Sequence, residues 1–172
     1  MDAARRAVMT DGGDGGETVL RNLNAADIQK YQRNRYPVLL IDKVVEAVPG
    51  RYCIAEKYLS YNEWYFPAHF DDDPNVPGFV QMEFLAQTFI MTFLTFPEHM
   101  GKKTAFVKAD GVSFKRKLVP GERLRIHATL DSFRPGVAKG HVVSDVDGDE
   151  ACSARFVIAL PDILHENTPE AK

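Results

Sequence analysis

One long run of apolar residues stands out in the chain: Phe79–Phe96, with the sequence FVQMEFLAQTFIMTFLTF. When this run is drawn as a helix, apolar side chains fall on every face, which is typical of a helix that is buried on all sides. Pro77 and Gly78 come directly before the run and mark its start. Its only charged residue is Glu83. The pattern therefore predicts a central buried helix that contains one carboxylate.

Other parts of the chain alternate between apolar and polar residues. Leu124, Ile126, Ala128 and Leu130 recur with a period of two, which predicts a half-buried strand. Pro-Gly and Asp-Gly pairs between such segments indicate turns. The sequence also predicts a short helix over Asn24–Gln32. Strands are predicted over Val38–Val48, from Arg51, and over Thr104–Val119 with a break near Gly111. Two further C-terminal strands are joined by a turn at Asp147-Gly148.

These elements follow one another as a short helix, two strands, the buried helix and about four more strands. We therefore predict an α+β fold in which a curved antiparallel sheet wraps one long helix, the layout called a hotdog. A chain of 172 residues is expected to form one domain, here residues 21–162. The Gly- and Asp-rich start predicts a flexible tail over residues 1–20, and residues 163–172 are expected to form a second tail.

Composition and charge narrow the class of protein. A net charge of -3 argues against nucleic-acid binding, which requires a clustered basic surface. Phe79–Phe96 is shorter than the roughly 20 apolar residues of a membrane helix, so no membrane partner is expected. Cys53 and Cys152 lack CxxC spacing and are interpreted as two free thiols in a reducing cytoplasm. No signal peptide is recognised at the start, so the expected location is cytoplasmic.

Three separated blocks of the chain resemble one enzyme family, the 3-hydroxyacyl carrier-protein dehydratases of the FabZ and FabA type. Residues 35–50, RYPVLLIDKVVEAVPG, are similar to the family opening HRxPFLLxDRV. Residues 60–87, SYNEWYFPAHFDDDPNVPGFVQMEFLAQ, resemble SxNEPFFxGHFPGxPxMPGVLQxEALAQ without a gap, and FKRKLVPGERLRI resembles FRRPVVPGDQL. The resemblance covers about residues 28–160. It implies dehydration of a (3R)-3-hydroxyacyl thioester in fatty acid, polyketide or related lipid biosynthesis.

The resemblance also implies catalytic roles for three residues, and the chemistry of each residue suits its role. His69 is the implied base that removes the C2 proton, since imidazole titrates near neutral pH. Glu83 is the implied acid for the departing 3-hydroxyl, because burial among apolar neighbours raises the pKa of a carboxyl group. Gly78 is the implied donor to the thioester carbonyl, because free N-H groups at a helix start favour a negative oxygen.

Further expectations concern residues and partners around this centre. Gln87 lies four residues after Glu83, on the same helix face, and resembles the family glutamine that supports the acid. Lys115 and Arg116 resemble positions that contact phosphopantetheine and the acidic carrier protein. The family takes the histidine from one subunit and the acid from its neighbour, which implies a homodimer or a trimer of dimers.

The sequence departs from the family pattern at several positions. Ala68 replaces the glycine before the histidine, and Asp71-Asp72 replaces the Pro-Gly after it, so the loop is expected to run differently and to place negative charge near His69. Asn34 replaces the histidine of HRxP. Lys108 replaces a strand glycine and is expected to narrow or redirect the acyl tunnel.

The same residues leave two other functions open and bear on whether a metal is bound. The alternatives are a hotdog acyl thioesterase, in which a carboxylate activates water, and a non-catalytic acyl-binding subunit. Asp71–Asp73 offer carboxylates next to His69, but consecutive side chains diverge and the sequence shows no second ligand cluster. No metal and no cofactor are therefore expected. The acyl chain length and the acyl donor, carrier protein or coenzyme A, stay open.

Overall fold

A computed structural model describes residues 18–134 and 136–166 of the chain, without the side chains of the last two. Most of the two predicted tails, residues 1–17 and 167–172, lies outside the described residues. The first strand begins at Leu20, next to the predicted domain boundary. The last helix runs to Glu166, so residues 163–166 are helical where the sequence suggested a tail.

The described chain consists of seven strands, three α-helices and a short 3-10 helix. Their bounds are β1 Leu20–Asn24, α1 Ala25–Tyr31, β2 Lys43–Val48, β3 Tyr52–Tyr58, α2 Gly78–Leu94, the 3-10 helix Pro97–His99, β4 Ala105–Phe114, β5 Arg123–Arg134, β6 Val137–Val146, β7 Asp149–Ala159 and α3 Pro161–Glu166.

The seven strands form one antiparallel sheet in the order β1-β2-β3-β5-β6-β7-β4. Helix α2 packs against one face of this sheet and is buried almost throughout from Val80 to Leu94. The predicted α+β arrangement of one long helix held by an antiparallel sheet is thus present. Strand β4 lies at the edge of the sheet and pairs only with β7. None of the described helices has the length and apolarity that a membrane span requires.

Helix α2 lies so close to β6 that only glycine fits at position 140. A Cβ atom placed on Gly140 would lie 2.4 Å from the Phe89 ring and 2.1 Å from the Thr129 carbonyl oxygen. Real Cβ atoms do not approach other atoms so closely, because the interior is already packed to crystal density. Gly140 therefore sets the spacing between the helix and the sheet.

The short helix and the turns agree with their sequence signals. Asn24 caps α1 by accepting from the N-H groups of Ala26 and Asp27, and the Asp27 side chain accepts from the Asn24 N-H in return. Asp147 and Gly148 both have positive φ and turn β6 into β7. The predicted break near Gly111 is a register shift between β4 and β7, and Gly111 has a φ of 58°.

Two strand predictions differ from the structure. The strand predicted over Val38–Val48 begins only at Lys43, because the Leu40 N-H and the Val38 carbonyl form hydrogen bonds with the Gln87 side chain instead of with a neighbouring strand. Strand β1 was not predicted. Its pattern, with Leu20 and Leu23 buried three residues apart, does not alternate like a regular strand.

Candidate active site

Glu83 lies in the second turn of α2 and is partly buried in a pocket of about 180 Å³. No other titratable side chain lines this pocket among the described residues. Its lining residues come from the loop after α1, from α2, from the start of β4 and from β7: Asn34, Glu83, Ala86, Gln87, Ile90, Thr104, Phe106 and Ile158. The carboxylate that the sequence singled out thus opens into a cavity and is not packed in the core.

Gln87 holds this carboxylate from one helical turn further along. Its Nε2 atom donates to Glu83 Oε1 over 2.7 Å and to the Val38 carbonyl over 2.6 Å. Its Oε1 atom accepts from the Leu40 N-H over 2.8 Å. Because a backbone N-H only donates and a carbonyl only accepts, these two contacts fix which end of the amide faces Glu83. The supporting role predicted for Gln87 therefore has a defined geometry.

Asn34 is a second donor to the same oxygen, with Nδ2 at 3.3 Å from Glu83 Oε1. Burial raises the pKa of Glu83, and the hydrogen bonds from Gln87 and Asn34 oppose that rise by favouring the carboxylate form. The pKa of Glu83 stays above its usual value, as the sequence predicted. A carboxyl group in this environment can retain a proton closer to neutral pH than an exposed glutamate does.

His69 sits on the loop between β3 and α2, where the backbone and Asn75 orient its ring. Its Nδ1 atom lies 3.1 Å from the Asn75 carbonyl oxygen, and the Asn75 N-H donates back to the His69 carbonyl over 2.9 Å. Because a carbonyl oxygen only accepts, Nδ1 carries a hydrogen in this contact. In the neutral ring Nε2 is then left without a hydrogen, which is the state that a base requires.

His69 and Glu83 do not line the same pocket of the described chain. His69 is absent from the residues that line the Glu83 pocket. Its ring stacks on Phe70, which is itself half exposed. Within one described chain, the Glu83 pocket therefore does not include His69.

Gly78 is the first residue of α2, and two features make it unusual. Among the described residues, no backbone carbonyl accepts from the N-H of Gly78 or of Phe79. A Cβ on Gly78 would lie 3.1 Å from the Phe114 ring, so the Phe114 side chain packs closely against Gly78. The N-H groups at this helix start are thus available to an oxygen atom.

The three aspartates after His69 have different surroundings. Asp73 forms an ion pair with Lys117, and its backbone bonds with Phe70 in both directions, which closes the loop. Asp71 and Asp72 are exposed, and neither is ion-paired with His69 in the described structure. Residues 18–134 and 136–166 contain no group of three or more side chains arranged to hold a metal ion.

The basic residues predicted to meet a carrier protein are each paired with a carboxylate of the same chain. Lys115 contacts Glu150 over 2.6 Å, and Arg116 contacts Glu122. With Lys117 bound to Asp73, the short basic cluster is neutralised by its own surroundings.

Lys108 does not line the Glu83 pocket of the described chain, and its register in β4 explains why. It lies opposite Val157, whereas the neighbouring Phe106 lies opposite Ile158. Ile158 is buried against the helix side of the sheet, so Val157 and Lys108 face the other side. Lys108 pairs with Asp110 over 2.9 Å there and does not line the Glu83 pocket. Its predicted effect on an acyl tunnel stays a prediction.

Sequence reasoning missed two parts of the site. Asn34 was noted only as the replacement for the histidine of HRxP, and no local signal in the sequence placed it beside Glu83. Lys57 was not noticed at all. Its buried ammonium group bridges Asp42 and Glu63, and so holds the start of the His69 loop against β2 and β3.

Comparison with known proteins gives this arrangement a family. The FabA-like domain matches residues 33–155. The chain is 40% identical over 140 residues to the 3-hydroxyacyl-[acyl-carrier-protein] dehydratase FabZ of Chloroflexus aggregans, which covers 81% of this chain and 97% of the relative. The FabZ of Oenococcus oeni is 37% identical over 138 residues, covering 80% and 99% of the two chains.

Solved structures support the same fold. A chain of the dehydratase heterocomplex ApeI:P from Xenorhabdus doucetiae superposes with a TM-score of 0.69 at 15% identity, over 82% of this chain and 97% of that one. The uncharacterized protein PH1136 from Pyrococcus horikoshii has a TM-score of 0.60 at 14% identity, over 76% and 91%. Identities this low concern the fold alone, and the predicted hotdog fold is confirmed. The FabA-like match spans well over half of the chain, and the protein is therefore a member of the FabA-like family.

Proposed function

We propose that this protein removes water from a (3R)-3-hydroxyacyl thioester carried by an acyl carrier protein and releases the trans-2-enoyl thioester. The observation that carries the proposal is the position of Glu83, the single titratable group of its pocket among the described residues, with a raised pKa and two amide donors on one oxygen. The FabZ relatives are dehydratases by name, and the substrate is taken from that name.

The acid step uses the oxygen of Glu83 that carries no amide donor. Gln87 fixes Oε1 as an acceptor, so a proton on the carboxyl group resides on Oε2. Glu83 gives this proton to the 3-hydroxyl as the bond between C3 and oxygen breaks, and the hydroxyl leaves as water.

The base step uses Nε2 of His69, since Nδ1 is engaged with Asn75. Nε2 takes the C2 proton, and the electron pair of that C-H bond becomes the double bond between C2 and C3 as water departs. The N-H groups of Gly78 and Phe79 stabilise the negative charge on the thioester oxygen in the transition state. The proton on His69 then returns to the Glu83 carboxylate through solvent, which restores the starting state.

A second copy of the chain supplies the missing half of each site in this proposal. Strand β4 has one free edge, and Phe106, Val107 and Phe114 are half exposed along it. Two β4 strands that pair antiparallel about Ala109 place Lys108 of each copy opposite Asp110 of the other. The two charges that already attract within the strand then attract between strands. We propose this pairing as the dimer contact, with a trimer of dimers as a larger form.

The carrier protein and the compartment complete the proposal. Lys115 and Arg116 contact the phosphopantetheine phosphate or the carrier by exchanging Glu150 and Glu122 for the ligand's negative groups. The expected compartment is the cytoplasm, in keeping with two buried thiols that are not joined as a disulfide.

One assay tests the reaction. A 3-hydroxyacyl carrier-protein thioester is incubated with the protein, and both the enoyl product and the free thiol are measured. We expect enoyl product from the wild type, its loss in His69→Ala and in Glu83→Gln, and wild-type rates in His141→Ala, a control at an exposed histidine of β6. Free thiol without enoyl product would indicate a thioesterase instead. Binding without turnover would indicate an acyl-binding subunit.

Mixing the two inactive variants tests the shared site. A heterodimer of His69→Ala and Glu83→Gln has one site with both intact residues, so random exchange of subunits restores about a quarter of the wild-type sites. No recovery after demonstrated subunit exchange would overturn the proposal that the two residues come from different copies.

A further inference from the structure

The Glu83 carboxyl group meets two side-chain amides, and both contact the same oxygen. Gln87 Nε2 lies at 2.7 Å and Asn34 Nδ2 at 3.3 Å from Oε1. The orientation of Gln87 is fixed by the backbone at Val38 and Leu40, so Oε1 is an acceptor. A carbonyl oxygen of Asn34 would repel that acceptor, and its NH₂ group must therefore face Glu83. The orientations of the Gln87 and Asn34 amides therefore follow from their heavy-atom contacts alone.

We propose that Asn34 is a positioning residue for the acid: together with Gln87 it holds Glu83 Oε1 as the acceptor oxygen and so directs the transferable proton to Oε2. The inference rests on the acid role of Glu83 under the proposed function. The side chain at position 34 is an amide, whereas the family pattern HRxP has a histidine at this position. An amide donates a hydrogen bond at every pH between 4 and 10, whereas an imidazole changes charge within that range.

Asn34 and Gln87 are not equivalent partners of Glu83. Gln87 also ties down Val38 and Leu40, so replacing it disturbs the chain before β2. The Asn34 side chain has one partner among the described residues, Glu83. Its 3.3 Å contact is at the long end of hydrogen-bond distances, so its effect is expected to be smaller than that of Gln87. Asn34 is therefore the position at which the effect on the carboxyl group can be measured separately from folding.

The charged groups near Glu83 are few. The described lining of the pocket, which comes from α2, β4, β7 and the loop after α1, contains no other charged side chain. Burial raises the pKa of Glu83, and the hydrogen bonds from Gln87 and Asn34 lower it in part. In the proposed dimer, His69 of the second copy joins the groups that face Glu83. Within one chain, the effect of a change at Asn34 on the titration of Glu83 is therefore not mixed with that of another charged residue in the pocket lining.

The experiment follows the titration of the Glu83 carboxyl group itself in the substrate-free full chain. The infrared carboxyl signal is recorded from pH 4 to 10, and the Glu83→Gln spectrum is subtracted to isolate it. Asn34→Leu keeps the number and branching of the side-chain heavy atoms and removes the donor to the carboxylate form, so the midpoint moves to higher pH. Asn34→Asp moves it higher still, because a second carboxylate is added. Asn34→His moves it lower, because a protonated imidazole favours the carboxylate.

The alkaline limb of the kcat profile follows the same order of shifts if Glu83 is the acid, and kcat of Asn34→Leu falls roughly two- to tenfold, the range of one hydrogen bond. Asn24→Ala is the matched control. It removes the cap of α1 without touching Glu83, so it lowers the thermal midpoint and leaves the titration unchanged. Should Asn34→Leu fold poorly, Asn34→His supplies the opposite shift.

An unchanged midpoint in both Asn34→Leu and Asn34→His overturns the inference, whatever the reaction is. Shifted midpoints without any enoyl product support the inference and count against the dehydratase proposal. The two failures are therefore distinguishable in one set of variants.

Discussion

The side chains of Glu83 and Gln87 are joined on the same face of α2 by a hydrogen bond of 2.7 Å. Gln87 in turn binds Val38 and Leu40, so the segment before β2 crosses the helix at the level of the acid. The carboxyl group is thereby connected to the fold through the helix backbone, through Gln87 and through Asn34. These three connections hold the carboxyl group in place.

Glu83→Gln should become more stable than the wild type as pH rises. Burial raises the pKa of Glu83, so the folded chain holds this proton more tightly than the unfolded chain, whose value is about 4.3. Stability that comes from the protonated form is complete below the unfolded pKa and is lost as pH rises through the folded pKa. Glutamine has no proton to lose.

Urea unfolding at pH 4 and pH 8 checks this expectation. The two proteins should differ little at pH 4, and the variant should have the higher midpoint at pH 8. Glu98→Gln, at an exposed position after α2, is the control and should show no such divergence. A Glu83→Gln curve that follows the wild type at both pH values would contradict burial as the main influence on this carboxyl.

Gly140→Ala should destabilise the fold by about 3 kcal/mol or more, because its Cβ would overlap Phe89 and the Thr129 carbonyl and neither can move without disturbing α2 or β5. Gly148→Ala has open space around its Cβ but a φ of 93°, so it should cost only about 1 kcal/mol. Denaturant unfolding of both variants gives the comparison. Equal losses would mean that the helix can shift away from the sheet.

Lys57→Met should cost about 3 to 5 kcal/mol of unfolding free energy. Only 4% of the Lys57 side chain is exposed, and its removal leaves the carboxylates of Asp42 and Glu63 without their cation. The double variant Lys57→Met with Glu63→Leu should recover part of the loss, because one of the unpaired charges is gone. Urea unfolding at neutral pH measures both. A single variant as stable as the wild type would show that solvent reaches this cluster.

Tyr65→Phe should stabilise the protein by about 1 kcal/mol, because the buried Tyr65 hydroxyl has no hydrogen-bond partner among the described residues. Tyr58→Phe is the matched control. The Tyr58 hydroxyl donates to Glu56 over 2.7 Å, so its removal should be neutral or unfavourable. Thermal unfolding of the two variants gives the sign of each change, and a destabilised Tyr65→Phe would mean that an ordered water satisfies this hydroxyl.

The elements that the sequence predicted well are those with strong local signals. The all-round apolar pattern of α2, the Asn24 cap and the Asp147-Gly148 turn each specify their conformation within a few residues. Val38–Asp42 was misassigned because its apolar residues suit a strand, while the Leu40 N-H and the Val38 carbonyl bond the Gln87 side chain, 47 and 49 residues away. A contact of this kind leaves no periodic pattern in the sequence.

The site shows the same division. Glu83 was identified because a charge within an apolar helix is exceptional, and its raised pKa follows from burial that the pattern already implied. The role of Lys57 was not predictable, because nothing in its neighbourhood along the chain marks it as buried. The face of β4 that Lys108 occupies was not predictable, because a β-bulge near Val107 sets which face each residue of the strand occupies.

The place of β4 in the sheet has a consequence for the order in which the chain is made. Its sole described partner strand is β7, and the segments between them must be synthesised first. At about 5 to 20 residues per second, β4 waits several seconds on the ribosome before Asp149–Ala159 emerges. During that time Phe106, Val107 and Phe114 have no strand beside them on either edge. Nascent chains that lie close together on one messenger RNA could therefore meet through this strand before either has finished folding.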